Sequence, residues 1–391
     1  MGPDSSPPIP SAGRRLSRRT LLRRLGLAGG AALAVPAIAA CGGPRRGGGG
    51  GERQLVMSNF PLYIDPDKDG VPGSIERFRR QSGIRVAYAE DHNDAAAFFA
   101  KIQPELAAGR PIRQDLFVTT YWMTQRLIDL GWLEPLPLDQ VPNRRHLVPE
   151  LRRPSWDPSG RFSLPWQSGI TGIAYNLEAT GRELTGIDDL FDPRLKGRVG
   201  FLTEMRDTLG LLMLADGQDI NRPTVRAAEG AFRRLELAKQ DGQIRAFTGN
   251  DYQDDLLVGN FAACVAWSGD VAQLAMENPK LRFLVPASGG VLWADVMVMP
   301  RGARQREEAA AWMNFVYDPA NAARIAAVVN YISPVQGVRP ILAANPASEP
   351  LSRNPLMFPD ADMRARLHVF GPLSEREEAR FDERFASIIG A

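Results

Sequence analysis

From about residue 54 the chain alternates short apolar runs with longer stretches whose apolar residues return every three or four positions. Leu55-Val56-Met57 is a brief apolar run and predicts a strand. Ser74 to Gln81 predicts a helix, with Ser74 as its N-cap and Ile75 and Phe78 on one face. Gly83 stops it, and Ile84 to Tyr88 predicts the next strand. Asp94 to Ala108 reads as a helix ended by Gly109, Asp115 to Val118 as a strand, and the segment up to Leu130 as another helix. Strands alternating with helices in this way imply a parallel sheet covered by helices.

The alternation continues with different spacing. Ile170–Tyr175, Arg198–Phe201, Phe261–Trp267 and Val291–Met299 predict strands, and Thr208–Ala215, Thr224–Ala238 and Glu307–Tyr317 predict helices. No internal repeat stands out. No Gly-, Ser- or Pro-rich linker divides the region into successive domains, which suggests lobes that share segments of the chain.

The first 51 residues break the pattern. Ser17-Arg18-Arg19-Thr20-Leu21-Leu22 resembles the twin-arginine export signature. The apolar stretch Leu25–Ala40 that follows is short of the roughly 20 residues a membrane span requires. It ends in Ile38-Ala39-Ala40-Cys41, which resembles a lipobox and makes Cys41 the expected lipidation site. Residues 41–51, rich in glycine, are expected to form a flexible tether. The leader also distorts the charge. Six arginines and one aspartate up to residue 40, with Arg45 and Arg46, contribute +7 to a total of +2, leaving −5 from Glu52 onward. A mildly acidic body argues against nucleic acid and suits a cationic ligand. With Cys41 lipidated, Cys264 stands alone, so no disulfide framework forms. Its apolar surroundings, Phe261 to Trp267, predict a core residue.

Enzymatic signatures are missing. The three histidines (His92, His146, His368) lack metal-ligand spacing, and no lysine is followed by serine or threonine as in a phosphate-binding loop. No Gly-x-Ser-x-Gly or Cys-x-x-Cys occurs. No cofactor is expected.

Several segments carry a family resemblance. They are Met57-Ser58-Asn59-Phe60-Pro61-Leu62-Tyr63; the run from Phe78 to Val86; Asp115 to Trp122; Leu164-Pro165-Trp166 through Gly172 to Asn176; and, most specific, Gly289 to Pro300 with its Trp293-Ala294-Asp295. In these the chain resembles the spermidine/putrescine-binding proteins of bacterial ABC importers, over most of the length from Leu55 to Tyr331. The resemblance implies a two-lobed α/β clamshell of the type II periplasmic-binding-protein kind, with the ligand between the lobes. One lobe is expected to comprise 52–169 with 295–339 and the other 170–294 with 340–391, with hinge crossings near Gly169 and Asp295. The expected ligand is a polyamine. The expected partners are permease subunits with a separate ATPase, and the membrane is reached through the lipid anchor alone. A monomer is expected, exported to the periplasm or the outer face of the cytoplasmic membrane.

Physical chemistry states what such a site needs. A polyamine is a hydrocarbon chain with ammonium groups, and burying an ammonium unpaired costs several kcal/mol, so carboxylates must meet it. Aromatic faces suit both the methylenes and the cationic ends. Trp293 and Asp295, two apart on a strand, share a face. Trp267 ends a strand, where α/β sheets bind ligands, and Thr120 and Trp122 follow another strand end. The resemblance places Trp293, Asp295, Trp267, Trp122, Thr120, Asp207, Glu204, Tyr331 and Phe60 at the ligand, with Asp207 and Glu204 gripping an inner or distal amine. Helix-dipole acids are the ordinary alternative for that pair. Phe60 stands where many relatives carry Trp, Pro61 replaces a hydroxyl residue, and the family's polar glutamine has no match around Phe370. Other readings stay open: the same fold with a thiamine-like ligand, a metal complex or an amino-acid derivative whose carboxylate Arg206 or Arg339 would hold; a non-transport adaptor; and an unrecognised hydrolase.

Overall fold

A computed structural model describes residues 53–390; the twin-arginine segment, the lipobox with Cys41 and the glycine tether lie outside the described residues. The strands are β1 Gln54–Asn59, β2 Arg85–Glu90, β3 Leu116–Thr120, β4 Ser163–Asn176, β5 Val199–Leu202, β6 Ile244–Thr248, β7 Ala263–Trp267, β8 Leu281–Leu284, β9 Gly290–Val298 and β10 Leu367–His368. The helices are α1 Ser74–Ser82, α2 Ala95–Ala107, α3 Tyr121–Asp129, α4 Leu177–Thr180, α5 Met205–Ala215, α6 Glu229–Gln240 and α7 Tyr252–Leu257. They continue with α8 Ser268–Glu277, α9 Arg306–Val316, α10 Pro319–Val329, α11 Val338–Ala344, α12 Ala361–Ala365 and α13 Glu375–Ile389.

The strands form one path, β2-β1-β3-β9-β4-β7-β5-β6, with β10 beside β9 and β8 beside β4. Each end of the path is parallel, as the alternating pattern predicts: β1 pairs with β2 and β3 in one half, β5 with β6 and β7 in the other. The two long strands β4 and β9 run antiparallel between these halves. Their register puts Gly169 opposite Trp293 and Gln167 opposite Asp295, with an irregularity between Pro165 and Gln167. This is the two-lobed α/β clamshell architecture.

Local chemistry explains most element ends. Asp94 caps α2 by accepting a hydrogen bond from the Ala97 amide at 2.6 Å, and Gly109 follows with a left-handed backbone. Ser74 does not cap α1, as the sequence suggests. It lies buried in the first turn, and Gly73 is the cap, where a Cβ would sit 2.4 Å from the Asp65 carbonyl oxygen. β4 is far longer than expected because nearly all its residues are buried, so no polar alternation marks it. α6 begins at Glu229 rather than Thr224, after a turn. Cys264 is fully buried in β7, and burial holds its thiol well above the usual range.

Candidate functional site

A tight recess with about 50 Å³ of free space lies at the strand ends where the two halves meet. All nine residues expected at the ligand line it: Phe60, Thr120, Trp122, Glu204, Asp207, Trp267, Trp293, Asp295 and Tyr331. Arg339 does not. Its Nε donates to the Ser352 carbonyl at 2.9 Å, away from the recess.

The sheet register does the positioning. Thr120 at the end of β3 pairs with Asp295 on β9, two residues from Trp293. Trp293 presses so closely on β4 that a Cβ at Gly169 would meet its ring at 2.3 Å. The Tyr331 ring likewise covers Gly269, where a Cβ would lie 2.5 Å away. These two glycines are where the backbone must leave room for site aromatics. The rings form a continuous wall of edge-to-face contacts: Phe60–Tyr63 at 6.1 Å, Tyr63–Tyr331 at 5.1 Å, Tyr331–Trp293 at 5.4 Å and Trp293–Trp267 at 6.5 Å.

Three buried aspartates face this wall, each held by neutral donors. Asp295 accepts from the Tyr63 hydroxyl at 2.8 Å. Asp207 accepts from Thr171 Oγ1 at 2.8 Å and Trp267 Nε1 at 3.0 Å. Asp270 accepts from the hydroxyls of Tyr331 at 2.6 Å and Tyr252 at 2.9 Å, and from Gln253 Nε2 at 2.8 Å. Burial pushes the Asp295 carboxyl up to about 7, with the charges of Asp207 and Asp270 adding to it. Burial likewise raises Asp207 and Asp270 to about 6 each, against the lowering effect of their hydrogen bonds. Thr120 Oγ1 and Trp293 Nε1 are buried polar atoms with no hydrogen-bond partner among the described residues.

The other end of the recess is occupied by the protein itself. The Arg206 guanidinium lies 4.0 Å over the Trp122 ring and pairs with Glu378 at 3.1 Å. Trp122 is therefore a wall whose face already carries a cation. Glu204 Oε1 accepts a hydrogen bond from the Ala95 amide, at the start of α2, at 2.8 Å. Burial and the charges of Asp94 and Asp207 push its carboxyl up to about 8.

Sequence reasoning missed Asp270, Tyr63 and the position of Arg206. Asp270 sits in the first turn of α8, three residues after Trp267, where an acid looks like an ordinary helix-dipole residue. Tyr63 lies in the segment after β1, and its role depends on an aspartate 232 residues away. Among the described residues lining the recess, Arg206 is the only cation.

A family model for bacterial extracellular solute-binding proteins matches residues 74–359. The chain is 27% identical to the putrescine-binding periplasmic protein PotF of Escherichia coli, over 81% of this chain and 86% of that protein. It is 25% identical to the putrescine/cadaverine-binding protein of Pseudomonas aeruginosa, over 86% and 93%. Among solved structures, the putative spermidine/putrescine ABC transporter of Listeria monocytogenes superposes with a TM-score of 0.74 at 26% identity, covering 86% of this chain and 98% of that one.

Proposed function

The chain belongs to the bacterial extracellular solute-binding proteins, and from that premise we propose that it captures a polyamine and delivers it to an ABC-type permease. The observation that carries this is the set of three buried aspartates, Asp207, Asp270 and Asp295, raised by burial and facing an aromatic wall. Carboxylates gathered in one dry recess repel each other and lack hydration, and a ligand with two ammonium groups relieves both costs. Asp295 takes one ammonium, and Asp270 with Asp207 takes the other. Trp293, Trp267, Tyr331 and Phe60 enclose the methylenes, and Thr120 supplies a hydroxyl. The similarity to proteins named for putrescine supports this ligand class.

Binding energy is realised only when both halves touch the ligand, so the ligand shifts the population toward closure and the closed form docks on the permease. We take the lobes as 52–169 with 295 onward and 170–294 with the C-terminal segment, crossing near Gly169 and Asp295. Because α11 packs on α10 and the turn Glu349–Arg353 packs on α11, we put the last boundary after them, ahead of β10, rather than at residue 339. Export through the twin-arginine leader, anchoring at Cys41 and a monomeric state belong to the same proposal, and no chemistry is assigned to the chain.

One observation favours a second ligand class. Arg206 Nε is buried without a partner, which suits the carboxylate of an amino-acid derivative whose amine meets Asp295. Tryptophan fluorescence separates the two, since Trp122, Trp267 and Trp293 all line the recess. Titration with putrescine, cadaverine, spermidine, spermine and 4-aminobutyrate is expected to give saturable changes with the diamines and polyamines. A response to 4-aminobutyrate alone would transfer the assignment to the second class, and no response to any would sink both.

A further inference from the structure

The loops that follow β2 and β6 touch, although these strands stand at opposite ends of the strand path. The Asn250 amide donates to the Asn93 carbonyl at 3.0 Å, and Asn250 Nδ2 donates to the same oxygen at 2.8 Å. Thr203 Oγ1 donates to Asp94 Oδ2 at 3.2 Å, and the Ala95 amide donates to Glu204 Oε1 at 2.8 Å. A Cβ at Gly249 would lie 2.6 Å from the Asn93 carbonyl oxygen, so the two loops leave no room for a side chain. Asn93, Asp94 and Gly249 do not line the recess, while Glu204 and Asn250 stand at its edge.

These bonds join the two halves directly, with no ligand between them. We propose that Asn93–Ala95 on one half and Glu204, Gly249 and Asn250 on the other form a latch that holds the cleft closed, with Glu204 acting as a positioning residue rather than as an amine ligand. The inference rests on the solute-binding reading but not on the identity of the solute. Glu204 is suited to this task. Its carboxyl meets the first turn of α2, whose amides have no intrahelical partner and accept an acidic group well. The charged groups facing it are Asp94, Asp207 and Arg206. The two aspartates and burial raise it, and Arg206 lowers it. In the closed form it stands near 8, well above an ordinary carboxyl. Closure therefore takes up a proton near neutral pH and weakens as pH rises through about 8.

The test is small-angle X-ray scattering of the ligand-free protein, paired with putrescine affinity, for wild type, Glu204→Gln, Glu204→Ala and Gly249→Val. Glu204→Gln keeps the acceptor oxygen and the shape. It should stay compact, bind putrescine within about threefold of wild type, and keep the opening due to the three buried aspartates up to about pH 7 while losing the further opening that wild type shows between about pH 7 and 8. Glu204→Ala and Gly249→Val should be more extended without ligand and bind about tenfold more weakly, since ligand must then supply the closure. Circular dichroism checks that both are folded, and Glu204→Gln carries the test if Gly249→Val is not. Ligand-free variants as compact as wild type, with unchanged pH response, would overturn the latch. So would a Glu204→Gln loss as large as that of an amine-pairing aspartate. If no amine binds but the variants open as expected, the polyamine assignment fails and the latch stands.

Discussion

The two ends of the recess use the same residue types in opposite ways. At one end Asp207, Asp270 and Asp295 receive hydrogen bonds only from neutral donors, tyrosine hydroxyls, a threonine hydroxyl, an indole and an amide side chain, and among the described residues none is ion-paired, though the charge of nearby Arg206 favours the ionised form of Asp207. At the other end Glu204 meets a backbone amide of the opposite half, and Trp122 already carries the Arg206 guanidinium. An acid and an aromatic side by side therefore do not define a ligand site. What decides is whether the fold has left the acid's charge for a guest to neutralise. On the proposed reading the first end is built for a guest and the second is built to close.

That contrast breaks most sharply at Asp295. Asp295→Asn should weaken putrescine about 100-fold, because truncating one partner of a buried hydrogen-bonded charge pair costs about 2–5 kcal/mol. Fluorescence titration reads it, and a loss no greater than that of Glu204→Gln would erase the difference between the ends. Next comes Gly169→Ala. Its Cβ would strike the Trp293 ring at 2.3 Å and push that ring out of the wall, for an expected loss of about tenfold or more, as for removal of a desolvated cation–π contact. A variant that binds as wild type does would show that Trp293 is not needed at the ligand.

The pH dependence follows from the same aspartates. Their carboxyls are raised to about 6, 6 and 7 in the ligand-free closed form. That form is thus favoured at low pH, where they are protonated, and loses stability as pH rises through about 6 to 7. A bound diamine favours the ionised acids. The rise in melting temperature on adding putrescine should therefore grow between about pH 5 and 8, and a rise that shrinks over that range would contradict the pairing. The smallest effect is expected at Arg206. Arg206→Gln removes a cation–π contact and an ion pair the protein makes with itself, and should change putrescine affinity less than about fivefold. A loss of 4-aminobutyrate binding in this variant, with putrescine intact, would instead mark Arg206 as a carboxylate contact.

Much of this was legible in the sequence for local reasons. Alternation of apolar runs and helical spacing announced β1 to β3 and α1 to α3, and Trp293-Ala294-Asp295 announced one face of β9. What stayed hidden depends on distant partners. β4 is buried on both faces, so its length left no polar mark. Asp270 reads as a helix-start acid until Tyr331 and Tyr252 close on it. Glu204 is expected at the ligand from the sequence, and its bond to the Ala95 amide, 109 residues earlier, shows only in the fold.

The most direct measurement is calorimetric titration of the purified protein with putrescine near neutral pH. One-to-one saturation, accompanied by release of protons into the buffer as Asp295 and its neighbours ionise around the diamine, is the predicted result. Saturation with no proton release, or no heat with putrescine, cadaverine or spermidine, would contradict the claim that the buried aspartates await a cation.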